Sequence, residues 1–519
     1  MTSLNVEDLL KKEKLGLALS GGGFRAAFFH LGVLARLADN GILQNVKIIS
    51  TVSGGSIIGG LYYQELIKAI KKKEEEETPI DYINIVKRVE EKLTEGVKKN
   101  IRRKLFLHPI YESISLFQGR ERVLGKLYNK FFYNFNINME DLQNDNECCP
   151  KLILNATSLN DGKHWFFTTE KMGQYKSDNV IEYTLLNNKV KLSEAVAASS
   201  TVPGLFNFFP FEYTDKNSGE NIKLKLVDGG VFDNLGVYAL QEEEVDYMII
   251  SDASRPLFEE NVPRRRLSVL KRSFDTSLVF SRKLLLNTIP QDKSMHINIE
   301  GTVSNSLLDE KFSGNLAKIR TDLDKFHTLE SNLLSFFGYC MIGEKFKGQP
   351  KFKNNYKFQD VTKELENEKK EKYIIGILKS GSTLSRVGGN VLLHAKGWGE
   401  KLEGLLELFH KFSFGLIAII IGIICLINFS VTQELVQKFF GTNNGNLVRT
   451  GQIIFIIGLL LFAIHWLRES LGNNFKYFSD IILYKILHSI GVIFLWIIII
   501  LTFVFIIIIC SSVLNFIVD

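Results

Sequence analysis

Leu15-Gly16-Leu17-Ala18-Leu19 runs directly into Ser20-Gly21-Gly22-Gly23-Phe24-Arg25, and residues 24–39 then carry apolar side chains at helical spacing up to Asn40-Gly41. A short apolar run, a glycine cluster and an amphipathic stretch predict strand, loop and helix. The order repeats at once: residues 46–52 read as a second buried strand, Ser53-Gly54-Gly55 as a sharp turn, and 56–70 as a second helix. This β-α-β-α order predicts a parallel sheet with helices on its faces.

Further along, 151–156 and 165–169 have strand character, 192–200 reads as a helix ending before Pro203, and 222–227 is a strand that stops at Asp228-Gly229-Gly230. Residues 246–251 form another buried strand ending in Asp252, and 266–286 and 307–326 read as amphipathic helices. The run Lys71-Lys72-Lys73-Glu74-Glu75-Glu76-Glu77 is a solvated helix end, and 345–372 is polar and poorly patterned.

The 519 residues fall into two compositional parts. Up to position 411 both signs of charge are mixed, whereas from 412 onward charge is sparse and Ile, Phe and Leu dominate. The apolar segments at about 412–431, 450–467 and 489–511 approach the roughly 20 residues that cross a bilayer. They predict an all-α transmembrane region at 401–519, after a domain at 1–400 with its motif-bearing core at about 14–255 and a helical extension at about 256–400. The Lys and Arg bias around these segments, with no secretory signal at the N-terminus, predicts an integral membrane protein whose N-terminal domain faces the cytoplasm.

A net charge of +6 without a basic arm gives no reason to expect a nucleic-acid partner, and the clusters at 98–104 and 264–266 read as solvated helix faces. Five cysteines show neither zinc spacing nor a disulfide framework, which suits a reducing compartment. No metal and no cofactor is called for.

Ester hydrolysis by serine needs a hydroxyl on a tight turn, a base within hydrogen-bond reach and donors aimed at the oxyanion. Ser53 follows a buried strand and opens a helix, so the helix N-terminus favours negative charge developing near its oxygen. The usual elbow is G-x-S-x-G; here Thr51 replaces the first glycine while Gly54 and Gly55 remain as elbow support. Gly21, Gly22 and Gly23 lie between a strand and a helix, where bare backbone presents several N–H groups to an anion.

The same cluster matches a dinucleotide-binding G-x-G-x-x-A, but that reading requires an acidic residue at the end of the next strand, where Ser53 stands instead. Asp228 closes a strand and is followed by two glycines that allow close approach, which makes it the candidate base. Ser53, Asp228 and His296 also stand in the chain order of an α/β-hydrolase triad, yet Met295-His296-Ile297-Asn298-Ile299 alternates like a strand.

Taken together, the glycine loop, the serine elbow, the Asp-Gly-Gly and the segment Ser193-Glu194-Ala195-Val196-Ala197-Ala198-Ser199-Ser200-Thr201-Val202-Pro203 make residues 15–240 resemble the patatin-like phospholipase family. The resemblance implies a three-layer α/β/α fold with a mainly parallel sheet and a Ser-Asp dyad without histidine. It implies Ser53 as nucleophile, Asp228 as general base, and the N–H groups of Gly21, Gly22 and Gly23 as oxyanion hole. Arg25 matches the family's basic position, as a brace for the loop or a contact for a headgroup.

With the apolar tail, the expectation is a membrane-anchored phospholipase or lysophospholipase, with membrane phospholipid and the bilayer as partners and a homo-oligomer as one possible assembly. A neutral-glyceride lipase or acyl transferase with the same dyad, and a non-catalytic lipid-binding or signalling module, are the alternatives.

Overall fold

The computed structural model describes residues 6–381, except 108–110, 112–113, 116–117, 134–135, 176–180, 185–189, 215–220, 255–265, 304–307, 309, 347–355, 357 and 359–367. The chain divides into a unit of residues 1–382 and one of 383–519, and the described residues lie in the first.

Ten strands make one sheet: β1 (Leu15–Leu19), β2 (Val46–Val52), β3 (Lys151–Ser158), β4 (His164–Phe167), β5 (Lys171–Gln174), β6 (Ile181–Thr184), β7 (Phe209–Thr214), β8 (Asn221–Asp228), β9 (Tyr247–Asp252) and β10 (Ser294–Asn298). The path runs β10-β9-β1-β2-β3-β4-β5-β6, with β8 paired to both β3 and β7. Strands β10, β9, β1, β2 and β3 are parallel, as crossover helices require. Beyond β3 every pairing is antiparallel. The expected mainly parallel sheet is therefore corrected to a mixed one: β4, β5 and β6 follow β3 through connections too short for a crossover helix and fold back as hairpins, as β8 does after β7, while β8 returns antiparallel to β3 after a longer stretch that holds the helix Leu192–Ser199.

Alternation along the strands builds two cores. Leu15, Leu17 and Leu19 of β1, Ile49 of β2, Leu152 and Leu154 of β3 and Ile249 of β9 enter the larger core. Ala18, Ile48, Ile153, Met248 and Ile250, one residue out of step, enter the smaller one on the other face. Helices α1 (Gly23–Asp39), α2 (Gly54–Glu76), α3 (Tyr82–Lys98), α4 (Arg120–Phe131), α5 (Leu192–Ser199) and α6 (Thr328–Lys345) contribute side chains to the larger core. Val237–Glu242 and the end of Arg266–Thr288 cover the smaller face, completing three layers.

Gly32 and Gly338 allow α1 and α6 to touch backbone to backbone, since a Cβ at Gly32 would overlap the Ser335 carbonyl and one at Gly338 the Phe29 carbonyl.

Two expectations change. The helix expected over 307–326 is limited to Glu310–Ala317 among the described residues, and 318–327 runs without regular structure. Its carbonyls turn toward the glycine loop, which a continuing helix would prevent. The transmembrane region is also corrected: no helix among the described residues is long and apolar enough to cross a membrane. The expected spans at about 412–431, 450–467 and 489–511 lie outside the described residues. The integral-membrane placement with a cytoplasmic catalytic domain is therefore not carried forward.

Candidate active site

The register around β3 decides where the site lies. On one edge of β3, β4 pairs with Leu154 to Thr157. The other edge is shared: parallel β2 pairs up to Val52 opposite Asn155, and antiparallel β8 takes over with Asp228 opposite Ala156. Two strands running toward each other thus end head to head, and the residues at their tips are Ser53 and Asp228.

Ser53 caps α2 with φ 52° and ψ −115°, a backbone conformation that non-glycine residues rarely adopt. Gly54 and Gly55 let the turn sit on the glycine loop: a Cβ at Gly54 would overlap the Gly23 carbonyl oxygen, and one at Gly55 the Leu19 carbonyl oxygen. A Cβ at Gly21 would stand 3.3 Å from that of Ser53.

Thr51, in the place of the usual elbow glycine, finds its room elsewhere. Its hydroxyl shares a 2.9 Å hydrogen bond with Ser56 Oγ and donates to the Ile153 carbonyl at 3.2 Å. Its methyl faces Gly59, where an added Cβ would come within 2.6 Å. Gly59→Ala is expected to cost about 1–3 kcal/mol through overpacking and to lower the melting temperature. The double variant Thr51→Gly/Gly59→Ala should recover it; no recovery in thermal denaturation would refute the compensation.

Asp228 is buried, and Oδ1 accepts the Gly230 N–H at 2.8 Å. Oδ2 is buried without a hydrogen-bond partner of normal geometry, which leaves lone pairs for a proton. Burial pushes the carboxyl up to about 6, with the Ser53 hydroxyl and the Gly230 N–H pulling the other way. A buried carboxylate raised toward neutrality beside a serine hydroxyl has the chemistry to accept that hydroxyl's proton.

Of the residues that hold this pair, Ser199 and Thr201 lie in the segment 193–203 that carries the resemblance, whereas Asn155 and Thr157 were not singled out by the sequence. Ser199, at the end of α5, accepts the Ser53 N–H at 3.0 Å and meets Ser56 Oγ at 2.8 Å. The Asp228 N–H donates to the Thr201 carbonyl at 2.9 Å, and Thr157 Oγ1 donates to the Asp228 carbonyl at 3.0 Å. Asn155 donates to Ser50 Oγ and the Thr51 carbonyl, both at 2.8 Å.

The glycine loop divides in two. The Gly21 N–H already donates to the Asn234 carbonyl at 2.9 Å. Gly22 and Gly23 lie at φ 143° and 57°, and among the described residues neither N–H has an acceptor. Arg25 is buried and donates to the carbonyls of Ala253 at 2.7 Å, Ile319 at 2.8 Å and Ala317 at 3.3 Å.

Among the described residues no histidine bonds Ser53 or Asp228. His296 lies on β10 and bonds Asp252 at 3.0 Å. Asp252 also pairs with Arg282 at 3.1 Å, and against the upward push of burial these two partners bring it down to about 2. His30 bonds the Ser20 carbonyl at 2.9 Å and Ser251 Oγ at 2.7 Å, and burial lowers it to about 4. His164 bonds Asn155 at 2.7 Å and is lowered by burial to about 3.

His296→Ala should keep most of any esterase activity. It should weaken the fold mainly above about pH 4, because the stabilisation from a depressed carboxyl is lost as pH falls from the ordinary 3.8 toward about 2. Loss of hydrolysis in the folded variant would restore the triad.

Among the described residues no group of three or more His, Cys, Asp or Glu is arranged to hold a metal. A cavity of about 450 Å³ lies away from the pair, lined by residues including Arg122, Lys126, Lys191 and Glu194.

Residues 17–240 match the sequence model described as patatin-like phospholipase. Over these residues the chain is similar to the patatin-like phospholipase family. This supports a patatin-family hydrolase at the family level. Among solved structures, human GIVD cytosolic phospholipase A2 is similar at 10% identity and TM-score 0.39, over 73% of this chain and 62% of that one. Its complex with methyl gamma-linolenyl fluorophosphonate gives 11%, 0.40, 73% and 61%. VipD from Legionella pneumophila gives 13%, 0.28, 88% and 91%. The chain thus spans about three fifths of the length of the human protein.

Proposed function

We propose that the patatin-like domain is a serine acyl hydrolase that cleaves fatty acyl esters of phospholipids or lysophospholipids through Ser53 and Asp228. The observation that carries the reading is the meeting of β2 and β8 on one edge of β3, which puts a strained serine beside a buried carboxylate whose second oxygen is open.

Asp228 Oδ2 takes the Ser53 proton as Oγ attacks the acyl carbonyl carbon. The N–H groups of Gly22 and Gly23 receive the oxyanion, since that of Gly21 is held by Asn234. As the intermediate collapses, Asp228 returns the proton to the departing alkoxide and the acyl group stays on Ser53. Water, deprotonated by Asp228, then releases the fatty acid. With Arg25 tied to three carbonyls, it acts as the brace of the loop.

The test is mass spectrometry of lipids after incubation with vesicles of mixed phospholipids and diacylglycerol. Free fatty acid plus lysophospholipid is expected from the wild type and not from Ser53→Ala. Cleavage of diacylglycerol alone would move the assignment to neutral glycerides, and equal products from both proteins would end the reading.

A further inference from the structure

We propose that the irregular segment 318–325, outside the residues that match the family, is the seat of the glycine loop, and that Arg320 is a positioning residue for the oxyanion donors. The inference rests on the reading of that loop given above. The contact is backbone to backbone: the Phe24 N–H donates to the Asp322 carbonyl at 3.1 Å, and a Cβ at Gly23 would lie 2.8 Å from that oxygen and 2.9 Å from the Asp322 nitrogen. Arg25 adds the bonds to the Ala317 and Ile319 carbonyls.

The first N–H groups of a helix have no partner within it and are the natural anion ligands. By taking the Phe24 N–H, the Asp322 carbonyl leaves Gly22 and Gly23 as the open donors and fixes the peptide plane next to them. The seat therefore chooses which groups face the oxyanion.

A segment without helix or strand bonds needs other anchors, and Arg320 supplies them. Its side chain is about 1% exposed. Nε lies 2.7 and 2.8 Å from the two Asp324 oxygens, Nη1 lies 3.2 and 3.3 Å from those of Glu330, and Nη2 donates to the Lys325 carbonyl at 3.1 Å. The guanidinium stands 4.1 Å from the centre of the Phe326 ring, which in turn packs edge-on against Phe24. Arg102 closes the other side, with its guanidinium on the Asp322 carboxylate and its N–H on the Leu323 carbonyl. A planar fork serving three acceptors is not reproduced by an ammonium.

Arg320→Lys in the full chain keeps the charge and loses the fork. Hydrogen exchange at the Phe24 amide should become about tenfold faster while the interior of α6 stays protected. On a soluble short-chain ester, kcat should fall about tenfold to a hundredfold with KM within about twofold, because donors displaced by a fraction of an ångström are missed only in the transition state.

Unchanged exchange at Phe24 in a folded variant overturns the proposal, and so does faster exchange with kcat intact. If the lysine variant does not fold, Asp324→Asn, which weakens one arm of the same fork, takes the same two readings. A wild type without esterase activity would count against the proposed function, whereas the exchange reading tests the seat by itself.

Discussion

Asp228→Asn is expected to lower kcat/KM by about 10²- to 10⁴-fold, the usual contribution of a positioned general base, and at the same time to raise the melting temperature at neutral pH. Both effects come from one feature. Burial holds the carboxyl at about 6 against an ordinary 3.8, so at neutral pH the folded protein carries an anion that the unfolded chain bears more easily. The difference is about 3 kcal/mol.

The sign follows from proton binding. Between about pH 4 and 6 the folded state keeps a proton that the unfolded state has released, so the wild type loses stability as pH rises through that window. The asparagine variant has no such loss. Its carbonyl still accepts the Gly230 N–H and its amide faces Ser53. The gap in melting temperature should be widest at pH 7 and close below about pH 4. A variant less stable than the wild type at pH 7 would contradict this account of the buried carboxylate.

Replacement of Ser53 separates chemistry from strain. Ser53→Ala should abolish hydrolysis by at least about 10⁴-fold, since the acyl group then has no acceptor. Ser53→Gly should be equally inactive and yet more stable than either, because glycine adopts φ 52° and ψ −115° without the roughly 1–3 kcal/mol that a side chain costs there. Thermal denaturation of the three proteins reads the second effect. Equal stability of the alanine and glycine variants would mean that the elbow holds no strain. A site that is less stable than its inactive variants is the expected compromise between activity and stability.

Much of this site was legible because its parts are local. The runs around Gly21 to Gly23, Ser53 and Asp228 each show a strand stopping at glycines, and the structure places a strand end at each of them. What brings Ser53 and Asp228 together was not legible, because the sharing of one β3 edge by β2 and β8 depends on pairings between residues 68 to 103 positions apart. The antiparallel wing beyond β3 was missed for another reason: alternating residues look alike in both strand directions.

Thr51 looked like a defect in the elbow until Gly59, eight positions on, supplied the missing space. The helical spacing of 307–326 was overridden after Ala317, where backbone bonds to the glycine loop and the ion pairs of Arg320 outweigh local propensity.

The most direct test is to label the full-length protein with an alkyl fluorophosphonate between pH 4.5 and 8 and to map the adduct by peptide mass spectrometry. The account predicts a single adduct on Ser53, formed at a rate that rises through about pH 6 as Asp228 ionises, and lost in Asp228→Asn but not in His296→Ala. An adduct elsewhere, or labelling of Ser53 that survives Asp228→Asn and disappears with His296, would contradict it.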